Sequence, residues 1–188
     1  MSLIGQPVTI IGAGVAGLAI ARALALRGAQ VTVLEQADAI REVGAGLQIS
    51  PNGACVLRAL GLQAGLDAAS MRGEAVELID GPNGELVSRL DLARLRPDQG
   101  YHFLHRADLI DLLLAGATEA GVSIRLLSRI DSVVLSASQP VVILETGEQI
   151  ETPLLIGADG LHSKARAALT GAEQPFFTRQ VAWRAVIP

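Results

Sequence analysis

An α/β fold with a parallel sheet is what this 188-residue sequence predicts, and three observations carry the prediction. A short β-branched run at residues 8–11 precedes the glycine-rich turn Gly12-Ala13-Gly14-Val15-Ala16-Gly17. An Ala/Leu-rich stretch of helical character follows to about residue 26. A second apolar run at 31–34 then ends in Glu35. Together they make a β-α-β unit, and its right-handed crossover sets the two strands parallel. Gly28 stands where a left-handed helix C-cap belongs.

After Glu35 the alternation stops, and the next helix and strand do not arrive on schedule. Residues 42–50 read as a loop punctuated by Gly44 and Gly46, with Leu47 beside them. Pro51 and Asn52 then open a short helix ending near Gly61, with Ser50 placed as its N-cap. Residues 75–79 and 85–90 read as strands around the turn Gly81-Pro82-Asn83-Gly84, a hairpin inserted from another sheet. A helix is expected over 106–119, with Ile110, Leu113, Leu114 and Ala117 at helical spacing and Gly121 as its stop. Its internal Gly116 costs about 1 kcal/mol against alanine. A strand over 122–127 follows, then a hairpin of 133–135 with 141–145. Residues 154–156 run into Gly157-Ala158-Asp159-Gly160, and 180–187 read as a last strand. An apolar strand with nothing to pair against leads us to expect a piece of a longer protein.

Composition removes several classes of function. Half the residues are hydrophobic, so the chain can bury a core. A net charge of −4 argues against a partner with a phosphate backbone, and no nucleic acid is expected. The single cysteine, Cys55, excludes an internal disulfide framework and a cysteine-cluster zinc site. We read Cys55 as a small packed residue. The apolar stretch at 8–26 has neither the basic lead of a signal peptide nor the composition of a membrane helix, given its three glycines at 12–17 and Arg22. A cytoplasmic protein without membrane contact is therefore expected. His102, His105 and His162 share no metal-ligand spacing, and no Gly-x-Ser-x-Gly elbow occurs. Asp108 and Asp111 suit the start of a helix. No metal ligand and no catalytic acid or base is assigned.

The glycine turn carries the chemistry. Gly12 permits the tight turn, Gly14 removes a Cβ that would block a diphosphate, and Gly17 lets the helix pack closely on the strands. The unpaired amides at the helix start favour a phosphate anion. Glu35, 18 residues beyond Gly17 and followed by Gln36, would accept hydrogen bonds from an adenosine ribose. This unit alone fits NAD or FAD; the interrupted sheet favours a flavin.

In order along the chain, several motifs resemble the single-component flavin monooxygenases of the para-hydroxybenzoate and salicylate hydroxylase type. They are the 12–17 turn with Glu35; Arg41; Gly44-Ala45-Gly46-Leu47 with Pro51-Asn52; His105-Arg106-Ala107-Asp108-Leu109; Gly157-Ala158-Asp159-Gly160 through Arg166; and Trp183-Arg184. The resemblance implies a Rossmann-like FAD-binding domain with an inserted β-rich segment belonging to an incomplete substrate domain. Residues 1–70 and 104–175 would form the FAD-binding domain, 71–103 the inserted strands, and 176–188 the start of the substrate domain. It further implies that Arg41 and Arg106 meet FAD phosphates or ribityl hydroxyls, and that Gly46 and Leu47 approach the flavin ring. Asp159 and Gly160 would touch the flavin side and help nicotinamide nucleotide use, with Arg166 stabilising that motif or meeting the nucleotide. NADH or NADPH would reduce the FAD, and O₂ would supply one oxygen to a small, aromatic substrate. The 188 residues alone are expected to bind FAD weakly and not to turn over. Two rival readings are another FAD- or NAD-dependent dehydrogenase or reductase, and a non-catalytic remnant of the fold.

Overall fold

The computed structural model describes residues 2–41, 46–136, 138–172 and 175–181. They fall into two compact units, one within 1–42 and 113–184, the other within 43–112.

The first unit opens with strand β1 (Pro7–Ile11), helix α1 (Val15–Ala25) and strand β2 (Gln30–Leu34). β1 and β2 pair in parallel, Val8 opposite Val31 and Ile10 opposite Val33. The crossover forms because β1 is buried at four successive positions, the apolar Val8, Ile10 and Ile11 together with Thr9, as a strand covered on both faces must be. Helix α1 buries Gly17, Leu18, Ala21 and Arg22. Arg22 is only 7% exposed, and its guanidinium donates to the Gly116 carbonyl and to the Glu119 carboxylate. Gly28 has φ +88° and closes the helix end as expected.

The second unit holds strand β3 (Gly46–Ile49) and helices α2 (Pro51–Ala59) and α3 (Gln63–Ala69). It continues with strands β4 (Met71–Arg72), β5 (Ala75–Ile79) and β6 (Leu86–Asp91), helix α4 (Leu92–Leu95) and strand β7 (His102–His105). Part of the expected loop is thus a strand: 46–49 pairs antiparallel with β7, Leu47 opposite Leu104. That partner lies more than fifty residues away in sequence, so no local pattern announces it. Residues 42–45, with Gly44 and Ala45, lie outside the described residues. Ser50 occupies the N-cap position of α2 but makes no cap bond; its hydroxyl donates to the Asn52 side chain instead. Pro51 at the first helical position sets the start. Cys55 is exposed, not packed, because the buried stripe of α2 runs through Ala54 and Leu57. His102 is buried, with its Nδ1 2.8 Å from the Ser70 hydroxyl. The hairpin β5–β6 forms a sheet of its own.

Helix α5 (Arg106–Glu119) leads to strands β8 (Ser123–Arg125), β9 (Ile130–Leu135), β10 (Pro140–Leu144), β11 (Gln149–Glu151) and β12 (Leu155–Gly157). A 3₁₀ turn at Gly160–His162 and helix α6 (Lys164–Thr170) follow. The strand expected over 122–127 stops at Arg125. Beyond it the main chain turns, Leu127 adopting φ +54° and donating its N–H to the Ala37 carbonyl. The parallel sheet has the order β12-β1-β2-β8, so the strand that continues β2 arrives only at residue 123. Strands β9, β10 and β11 form an antiparallel meander. Ile11, Leu34, Ile130, Val142, Leu144 and Ala165 share one buried cluster that joins meander, sheet and α6. The strand expected over 180–187 lies outside the described residues from 182 on, including Trp183 and Arg184; Gln180 and Val181 are not in a strand.

Candidate functional site

The order of the parallel sheet fixes where a ligand belongs. From β1 the chain moves outward through β2 to β8, then returns to place β12 on the other side of β1. The crevice beyond the carboxyl ends of β1 and β12 is therefore a topological switch point, where open α/β sheets bind ligands. The 12–17 turn leaves β1 there.

Each glycine of the turn has a distinct steric reason. Gly12 has φ +99°, and a Cβ on it would lie 2.5 Å from the Ala158 carbonyl oxygen and 3.2 Å from the Asp159 Cα. A Cβ on Gly17 would lie 1.9 Å from the Gly12 carbonyl oxygen and 3.5 Å from the Ala158 Cβ. The close approach at Gly17 is thus made to its own turn and to the β12 end. Gly14 differs: a Cβ there would meet nothing within 4 Å. Open space sits where the helix begins, and Gly14, the N-cap, offers no side-chain acceptor to the first-turn amides. Ala16 at the start of α1 is exposed. A group with a negatively charged, bulky diphosphate fits this arrangement, since the amides lack acceptors and the space lacks a side chain.

Glu35 borders the turn at the end of β2. Its Oε2 accepts the Ala13 N–H at 2.8 Å and its Oε1 accepts the Ala37 N–H at 2.9 Å. Each oxygen keeps a second lone pair for a sugar hydroxyl. Gln36 and Arg41 are exposed in the segment that follows. On the opposite flank, the Asp159 carboxylate caps α6, accepting from the Ser163 hydroxyl at 2.5 Å and from the Lys164 N–H at 2.7 Å. Gly160 takes φ +72°. Arg166 donates to the Leu161 carbonyl at 2.6 Å, which stabilises the Asp-Gly turn.

The structure therefore brings Gly12 through Gly17, Glu35, Asp159 and Gly160 to the same end of one sheet. Gly46, Leu47 and Arg106 belong to the second unit, where they form a group of their own. Gly46 and Leu47 pair with His105 and Leu104, and Arg106 begins α5 directly after that strand. Sequence reasoning gave no role to Ala158, whose carbonyl lies against Gly12, and missed α6 with its Ser163 cap. Asp159 and Ser163 ahead of an Ala-rich run were the available signal for that helix. Among the described residues no cluster of His, Cys, Asp and Glu could hold a metal. No described helix is long and apolar enough to cross a membrane.

The sequence profile described as "FAD binding domain" matches residues 6–186. The chain belongs to this FAD-binding family. Among its relatives, a 3-amino-4-hydroxybenzoate 2-monooxygenase of Streptomyces cremeus is 36% identical over 96% of this chain and 46% of that protein. A 3-hydroxybenzoate 6-hydroxylase of Polaromonas naphthalenivorans is 35% identical over 96% of this chain and 46% of its own length. The chain thus spans about half the length of the curated relatives it matches. Among solved structures, 2-methyl-3-hydroxypyridine-5-carboxylic acid oxygenase in its tetrameric form superposes with a TM-score of 0.77 at 29% identity, over 88% of this chain and 42% of that one. CtdE, solved in complex with FAD and a substrate, gives 0.75 at 28% identity over 89% of this chain and 40% of that one. The expected fold class, a Rossmann-like FAD-binding domain with an inserted β-rich segment, is the one found.

Proposed function

We propose that this chain is the FAD-binding part of a monooxygenase that uses NADH or NADPH and O₂ to hydroxylate a small aromatic substrate. The observation that carries the reading is the glycine turn at the switch point, open at Gly14 and flanked by Glu35. The names of the two hydroxybenzoate-acting relatives support the substrate class.

In this reading the amides of Gly14 through Gly17 hold the FAD diphosphate, with Gly12 and Ala13 shaping the approach. Glu35 accepts from the adenosine ribose, beside Gln36. Arg41 and Arg106 bind phosphate or ribityl oxygens, for which a guanidinium supplies paired, permanently charged donors. Gly46 and Leu47 line the ring, where a glycine and an aliphatic side chain leave a dry surface. Asp159 and Gly160 wall the turn from the β12 side. Bound there, the flavin would supply the redox and oxygen chemistry, while the protein supplies orientation and exclusion of water. No side chain of this chain is assigned a proton in oxygen transfer.

The experiment is a product analysis on the whole protein loaded with FAD. Incubated with NADH or NADPH, O₂ and a panel of hydroxybenzoates, it should convert at least one to a product heavier by a single oxygen atom. Oxidation of NADH or NADPH with every product lacking that oxygen would favour a reductase or dehydrogenase instead.

A further inference from the structure

We infer that Glu35 is a positioning residue as well as a sugar acceptor: its carboxylate sets the glycine turn in its binding shape before a cofactor arrives. The inference rests on the reading above that this turn receives the FAD diphosphate.

Both carboxylate oxygens are engaged by main-chain donors, Oε2 by Ala13 and Oε1 by Ala37, at 2.8 and 2.9 Å. Ala13 is 4% exposed, so water is poorly placed to replace the carboxylate. The preceding amide, of Gly12, donates to the Leu34 carbonyl at 2.8 Å. The first two amides of the turn are therefore tied to the end of β2. Those that follow belong to the first turn of α1 and have no partner within the helix. Glu35 itself has a firm footing. Its N–H donates to the Arg125 carbonyl at 2.9 Å, and its own carbonyl accepts the Ser128 N–H at 2.8 Å. Ala37 is held as well, its carbonyl accepting the Leu127 N–H at 3.0 Å.

Two donors need two acceptor oxygens. An ionised carboxylate supplies both, whereas an amide supplies one oxygen and an NH₂ that faces a donor. Glutamine keeps the length of the side chain and groups able to bond a ribose hydroxyl. Substitution E35Q therefore separates holding the turn from touching the sugar.

Amide hydrogen exchange by NMR on the cofactor-free 188-residue chain provides the test. In the wild type the Ala13 amide should exchange slowly and the Ala16 amide fast. In E35Q the exchange of Ala13 should rise about tenfold or more, with Ile10 of β1 unchanged, a local signature that general loss of stability would not give. FAD affinity should fall in the same variant. Rapid exchange at Ala13 in the wild type overturns the inference and needs no variant, so a poorly folding E35Q does not shield it. Unchanged Ala13 protection in a folded E35Q overturns it equally. Failure of the cofactor site itself reads differently: a Gly14→Val chain that binds FAD as tightly as the wild type removes that site, while the Ala13 protection stands.

Discussion

Strand β1 and the hairpin β5–β6 are built from similar residues and end in opposite states. In β1, Val8 and Ile10 are 1% and 0% exposed; in the hairpin, Leu78 and Val87 are 61% and 62% exposed. Both have hydrogen-bonded ladders, unbroken between β1 and β2 and shifted once in register between Leu78 and Ile79 in the hairpin, and the hairpin adds an ion pair between Arg89 and Glu77. What differs is neighbours. β1 is paired on both sides, by β2 and β12, and lies next to α1 in the chain; among the described residues β5 and β6 pair only with each other. Hydrophobic sequence specifies a strand, but burial comes from what the topology places over it.

Substitutions should separate the two regions. The largest effects are expected at the glycine turn and in β1: Gly17→Val drives a branched side chain into the Gly12 carbonyl, and should destabilise the chain by about 3 kcal/mol in urea unfolding. Ile10→Ala, which empties a fully buried position in β1, should cost about 2–5 kcal/mol by the same measurement. Val87→Ser in the hairpin should change stability by no more than about 0.5 kcal/mol, and a loss comparable to Ile10→Ala would erase the contrast.

A smaller effect belongs to charge. Arg125 and Glu148 meet through two hydrogen bonds on the exposed side of the first unit. The hydrogen bond from Arg125 holds the Glu148 carboxyl below the usual carboxylate range, against an opposing effect of desolvation. A folded-state value below the unfolded one stabilises the chain above the unfolded value. That contribution is lost as pH falls through the folded value. Between about pH 7 and about pH 3 the wild type should therefore lose slightly more stability than Glu148→Gln, as read from urea midpoints.

Much of the nucleotide end was readable from sequence because its signals are local. A glycine turn between a β-branched run and a helix, with an acid at a fixed distance, sits within 35 residues. Ser123 to Arg125 was also recognised as part of a strand, but not as the neighbour of β2. Pairings made across long separations were not readable: β3 with β7 and the two-residue β4 both depend on distant partners. Helix α3 begins without a capping side chain, which removed its start signal. The expected packing of Cys55 failed for a related reason, since the face of α2 that turns inward is chosen by its neighbours.

The central claim is that the open space at Gly14 receives a diphosphate. Titrating FAD into the wild-type chain and into Gly14→Val, with flavin fluorescence as the readout, tests it most directly. Gly14 has φ −75°, which valine can adopt, so the variant should remain folded. Saturable binding in the wild type and at least about a tenfold weaker affinity in the variant is the expected result. Equal affinity in the two chains would contradict it.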